Sequence, residues 1–209
     1  MTGAYHKPVW NFLPRAGLTG RGAQSYDFAE MRVLLPALLA LLAVSCSSAG
    51  PYGYSRTYSA LSEEDDAAET SKDFDPVMAS REKSEWKKVT LSVFGIVKKR
   101  SEGKNGSAYV SLSVRTLADR NLCDDIAEET CRVTVSEREH ASVHALLKLS
   151  SGDDIGEHSV GPGSLVRVIG KLTDDVDPND GAPVLAATYY RHWPRNFFVT
   201  TADRAHMQR

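Results

Sequence analysis

The sequence predicts a mainly β domain, set behind an N-terminal address and an acidic stretch. Three observations carry that reading. Apolar and polar residues alternate along Val89–Lys98 and Val110–Thr116, and within Leu165–Leu172; a period of two with many β-branched residues marks strands. Clusters of Gly, Asn, Asp and Pro at Glu102–Ser107 and Asp174–Pro183 fall between the runs and close hairpins. The 209 residues are 42% apolar and 25% charged, which excludes both wholesale disorder and a multi-span membrane protein.

The chain begins with an address. Val33–Val44 is an unbroken apolar run of twelve residues, short of the roughly 20 that a membrane-spanning helix needs. It fits the apolar region of a signal peptide, with Arg32 as a minimal positive flank. The competing reading, a buried helix, is disfavoured by Pro36 inside the run and by the loop-like flank after Cys46. Ala43, Val44 and Ser45 lead into Cys46.

That arrangement resembles the lipobox signal peptide of bacterial lipoproteins, which implies removal of residues 31–45 and lipid on Cys46. The usual Leu three residues before the cysteine is Ala43 here, with Leu42 one place earlier. The resemblance further implies acyl chains of the palmitate kind. At about 0.8 kcal/mol per buried methylene, several such chains anchor a protein for good. Ser47 after the cysteine implies the outer membrane, with the domain in the periplasm or at the cell surface. Residues 1–30 show no period and read as an extension upstream of a true start at Met31, or as a longer leader.

Residues 46–85 are expected to be a disordered acidic tether. They hold four basic and nine acidic side chains, and SEEDDAAETSKDFD (Ser62–Asp75) is poor in aliphatics. From Trp86 onward the charge is close to neutral, at 17 basic and 16 acidic residues.

The β region follows. After the first hairpin come a short strand at Val133 and Val135, a Gly161–Ser164 loop into Leu165–Leu172, and a long strand over Val184–Trp193. A short terminal piece spans Phe197–Thr201. Ser136–Leu149 supports two readings. Ser136 with Glu139 makes a helix-capping box, whereas Val143, Ala145, Leu147 and Leu149 alternate as in a strand, which is the reading preferred. These strands, with one short helix before LVRVIGKL, resemble the OB-fold, a small Greek-key β-barrel. The resemblance covers residues 86–201 and leaves 202–209 as a tail; the Leu117–Cys131 insertion departs from a minimal OB-fold.

Few residues offer chemistry. Cys123 and Cys131 form an even pair once Cys46 carries lipid, and a disulfide is expected in an oxidising compartment. A zinc site from Cys123, Cys131, His140 and His144 has the wrong gaps except for the last. Asp175, Asp177 and Asn179 begin like a calcium loop, but Asp180 replaces the required Gly and Ala186 the required Glu. The densest aromatic and basic cluster is Tyr189, Tyr190, Arg191, His192 and Trp193. Tyr189, Tyr190, Arg191 and Trp193 are the candidate binding face for stacking a ligand, against the plainer reading that they fill the core.

No catalytic motif, metal site or cofactor is expected. The expected function is a lipid-anchored, non-catalytic binding or assembly module with an envelope protein as partner. The alternatives are a small-molecule or glycan binder using the aromatic cluster, and a metal-dependent enzyme using His140 and His144. Near-neutral charge argues against nucleic acid as a partner.

Overall fold

Among the described residues the computed structural model has eight strands, the longer ones built on alternation at period two: β1 (Lys72–Asp73), β2 (Leu91–Glu102), β3 (Ala108–Arg115), β4 (Val133–Val135), β5 (Ala141–Leu147), β6 (Leu165–Val176), β7 (Pro183–Trp193) and β8 (Phe198–Thr200). The structure describes Tyr52, residues 55–125 and residues 128–207. The stretches expected to be leader and signal peptide, and Cys46, lie outside the described residues.

Strand β2 runs antiparallel to both β3 and β6, β3 pairs antiparallel with β5, β6 with β7, and β5 lies parallel to β7. The ring β2-β3-β5-β7-β6 therefore closes on itself. This is the OB-like β-barrel that the strand pattern predicts. Leu91, Val93, Val97, Val110, Leu112, Val143, Leu147, Val168 and Leu185 fill its interior; their outward neighbours are polar residues such as Ser92, Lys98 and Arg167 and apolar ones such as Phe94 and Ile96 that pack in a second cluster.

Ser136–Leu149 resolves as a strand. His144, Ala145 and Leu146 pair with β3 on one side and β7 on the other, which satisfies backbone groups that a surface helix would leave to itself. A different short helix, which the sequence reading did not place, lies just beyond at Ser151–Asp154, with the Ser150 hydroxyl accepting from the Asp153 amide at 3.3 Å.

The Leu117–Cys131 insertion folds back against the barrel. Bridges at Leu117–Val135 and Leu122–Arg132 hold it, and β4 pairs in parallel with β8. Cys123 and Cys131, eight residues apart, are disulfide-bonded. Loop-closure entropy for so short a loop is on the order of 2–3 kcal/mol. Reduction is expected to lower the unfolding free energy from a urea melt by that amount, and the midpoint with it, with Cys123→Ser/Cys131→Ser matching the reduced chain. A midpoint insensitive to reduction would show that the bridge leaves the unfolded chain unconstrained.

The tether expectation is corrected for residues 55–85. This stretch forms helices α1 (Ser62–Ala68), α2 (Pro76–Arg81) and α3 (Lys83–Trp86), and β1 adds in parallel to β2. Asp75 caps α2 by accepting from the Val77 and Met78 amides at 2.8 and 3.0 Å, with Pro76 pre-set for the first turn. Phe74 and Trp86 meet edge to face at 6.3 Å and pack on the barrel core. The domain thus begins well before Trp86. Aromatic anchors and a buried acid, rather than the average composition, decide the outcome here.

Candidate functional site

Strand β7 ends in the predicted binding face, and the structure brings its members together only to cover most of them. Trp193 is fully buried, its indole N–H donating to the Tyr52 carbonyl at 2.7 Å. Phe94 stacks on it at 6.2 Å, and the Arg191 guanidinium lies 4.7 Å from its ring centre. These contacts belong to a second apolar cluster with Leu165, Val133 and Val135, outside the barrel proper.

Arg191 is also buried, and its charge is met by Glu64 from α1 at 2.9 Å. Arg167 of β6 reaches the other oxygen of Glu64 at 2.6 Å and donates to the Ser92 hydroxyl at 3.1 Å. The Tyr58 hydroxyl and the Leu61 amide complete the set of donors around that carboxylate. Burial alone would raise the Glu64 pKa, but the Tyr58 hydroxyl and the two guanidinium groups outweigh it and hold the acid below the ordinary carboxyl range. The same burial, together with the neighbouring carboxylate, pushes the Tyr58 phenol well up.

Tyr190 and Tyr189 behave differently. The Tyr190 hydroxyl accepts from the Ser150 amide at 2.9 Å and donates to Asp153 at 2.7 Å, so it fastens the short helix to β7. His192 meets the same Asp153 at 3.0 Å, and burial pushes its pKa down. Tyr189 is half-buried and, with Leu61, Glu63, Lys148, Thr188 and Tyr190, helps to line a cavity of about 460 Å³. Of the four predicted face residues, Trp193 serves the fold alone, the two tyrosines border the cavity, and the buried Arg191 does both.

The cysteine–histidine zinc series is not assembled. Both cysteines are spent on the disulfide, and His140 and His144 sit four residues apart on extended chain, about 13 Å along the strand direction. His144 instead faces Asp177 and Asp180 of the β6–β7 hairpin.

Sequence reasoning missed Glu64, Arg167 and Tyr58. One signal was present: Tyr52, Tyr54 and Tyr58 are aromatic residues in a stretch read as solvated, and such segments are normally poor in aromatics.

No family model matches the chain, and no curated protein matches it. Solved structures do resemble it. A small single-stranded DNA-binding protein from Streptomyces coelicolor is 19% identical, with a TM-score of 0.30, over 50% of this chain and 92% of that one. The N-terminal domain of a PriB protein from Thermoanaerobacter tencongensis is 14% identical, with a TM-score of 0.27, over 51% and 97%. A deletion mutant of the single-stranded DNA-binding protein from Thermus aquaticus is 15% identical, with a TM-score of 0.26, over 51% of each chain. The exclusion of nucleic acid is corrected by these findings, since two of the three neighbours are single-stranded DNA-binding proteins. Net charge over a whole chain describes no single face of a barrel. The likeness is one of fold and assigns no ligand.

Proposed function

We propose that this chain is a lipid-anchored cell-envelope protein whose OB-like domain acts by binding or assembly rather than catalysis. The anchor is Cys46, with the outer membrane favoured. The observation that supports this most directly is the Cys123–Cys131 disulfide. It suits an oxidising compartment, and it leaves Cys46 as the one cysteine outside the bridge.

The test is intact mass after expression from Met31 in a bacterial host, with and without reduction. A lipid-shifted mass beginning at Cys46, two daltons heavier after reduction, is expected. An unprocessed, fully reduced chain would overturn the reading.

A second reading, small-molecule or glycan binding, is favoured by the cavity beside Tyr189, whose volume lies within the range usual for ligand pockets. A Tyr189→Ala chain should then lose binding to a panel of envelope oligosaccharides while melting as the parent does. If no oligosaccharide binds the parent chain, this second reading is set aside.

A further inference from the structure

His144, Asp177 and Asp180 are brought together by the tertiary fold alone, His144 from β5 and the two acids from the β6–β7 hairpin. The His144 side chain is 7% exposed and lies flat against Tyr109, with ring centres 5.1 Å apart and planes within 14°. Its Nε2 stands 3.0 and 3.1 Å from the two oxygens of Asp180. Its Nδ1 is buried, makes no hydrogen bond, and faces Asp177 Oδ2 across 3.7 Å.

Both carboxylates are fixed by their own neighbours. Asp177 Oδ1 accepts from the Asn179 amide and side chain at 2.8 and 3.0 Å, and its Oδ2 accepts from the Tyr109 hydroxyl at 2.8 Å. Asp180 Oδ1 accepts from the Ala182 amide at 2.9 Å.

A neutral imidazole has one N–H and one lone pair. With a carboxylate at each ring nitrogen, one lone pair must face an anionic oxygen across a dry contact. A second ring proton or a metal ion removes that conflict, and only the ion draws both carboxylates toward one point. One ring nitrogen and one oxygen from each acid lie within 4.8 Å of one another. Donors sharing a tetrahedral ion, with bonds of about 2.0–2.2 Å, stand about 3.4 Å apart, so a contraction on the order of 1 Å closes the set.

We propose that these three residues form a binding site for a divalent first-row transition ion, with Zn²⁺ as the reference metal. The imidazole separates this site from the all-oxygen calcium loop that the hairpin fails to make. The hydrogen bonds from Tyr109, Asn179 and Ala182 orient the ligands as supporting groups around metal sites do. Asp180, whose side chain is 42% exposed, is the door through which the ion and a completing water enter. The site stands independently of acylation at Cys46.

The test uses the full chain, stripped with a chelator and titrated with Zn²⁺ by calorimetry and with Co²⁺ by visible absorption. One ion per chain is expected, with cobalt bands showing nitrogen and oxygen ligation and a rise in the melting midpoint. His144 is buried and its replacement risks the fold, so Asp180→Asn is the decisive variant, with at least a tenfold loss of affinity expected. Asp174→Asn changes an exposed acid of the same hairpin whose partner is Lys87, and it should bind as the parent does. Absence of saturable binding, or equal binding by Asp180→Asn, would overturn the site and leave a hydrogen-bonded pin between β5 and the hairpin.

Discussion

Replacing Glu64 by alanine is expected to lower the melting temperature of the domain by about 10 °C. Glu64 has no exposed surface, and it is the one buried residue of α1. Its carboxylate balances Arg191, which is nearly as buried, and Arg167, which is mostly so. Removing one member of a buried ion pair costs about 3–5 kcal/mol, because the partner charge stays behind without compensation. For a domain of this size each kcal/mol shifts the midpoint by about 2–4 °C. Glu64→Gln keeps an acceptor without the charge and should fall between the parent and Glu64→Ala.

The pH dependence has a definite sign. The folded-state pKa of Glu64 lies below its ordinary value of 4.5, so the unfolded chain binds this proton more readily. The stabilisation is complete above that ordinary value and is lost as the pH falls through the lower, folded value. Melts followed by circular dichroism between pH 3 and 7 should show the parent losing stability on the acid side more steeply than Glu64→Gln. Parallel profiles, or a Glu64→Ala midpoint within 2 °C of the parent, would show that the cluster is solvated in solution.

Gly170→Ala is expected to be worse still, leaving little folded protein. A Cβ at this position would overlap the Ala186 carbonyl oxygen and stand 2.9 Å from both the Ala186 carbonyl carbon and the Ala187 Cα. These are backbone atoms of β7 and cannot rotate away. The crowding comes from a bulge: Ile169 pairs with Tyr189 and Gly170 with Ala187, so Thr188 is the extra residue, and its hydroxyl donates to the Ile169 carbonyl at 3.1 Å. Glycine in a strand interior marks such a close approach. The expected cost exceeds about 3 kcal/mol, the upper end of ordinary overpacking, because β6 and β7 would have to part. Soluble yield and a urea melt measure it. Gly152→Ala, on a helical turn with nothing within 4 Å of the new methyl, is the control and should be neutral or mildly stabilising.

Much of the barrel was legible in the residues. Alternation along β2, β3 and β6 reports which side of each strand is apolar, and a barrel has one inside. Gly181, at φ +70°, closes the β6–β7 turn inside the Asp174–Pro183 cluster that predicts it. Ser136–Leu149 was balanced between two periods because Leu146 suits either; pairing on both sides settled it as a strand. The binding face was less legible. Tyr189, Tyr190, Arg191 and Trp193 look alike as a cluster, yet Arg191 and Trp193 are buried, and only Trp193 lies away from the cavity that the other three line.

The β class, the long strands β2, β3, β6 and β7, the hairpin turns and the chemistry available to each residue are readable from local period and composition. Only the tertiary structure decided what covers each face. Glu64 meets Arg167 and Arg191 across 103 and 127 residues of chain, and His144 meets Asp180 across 36. No local pattern encodes such meetings: a helix that reads as acidic and solvated becomes the buried counter-ion of a barrel because closure of the barrel places two arginines beneath it. Burial then sets the worth of each charge, since the same carboxylate is nearly free in water and decisive when dry.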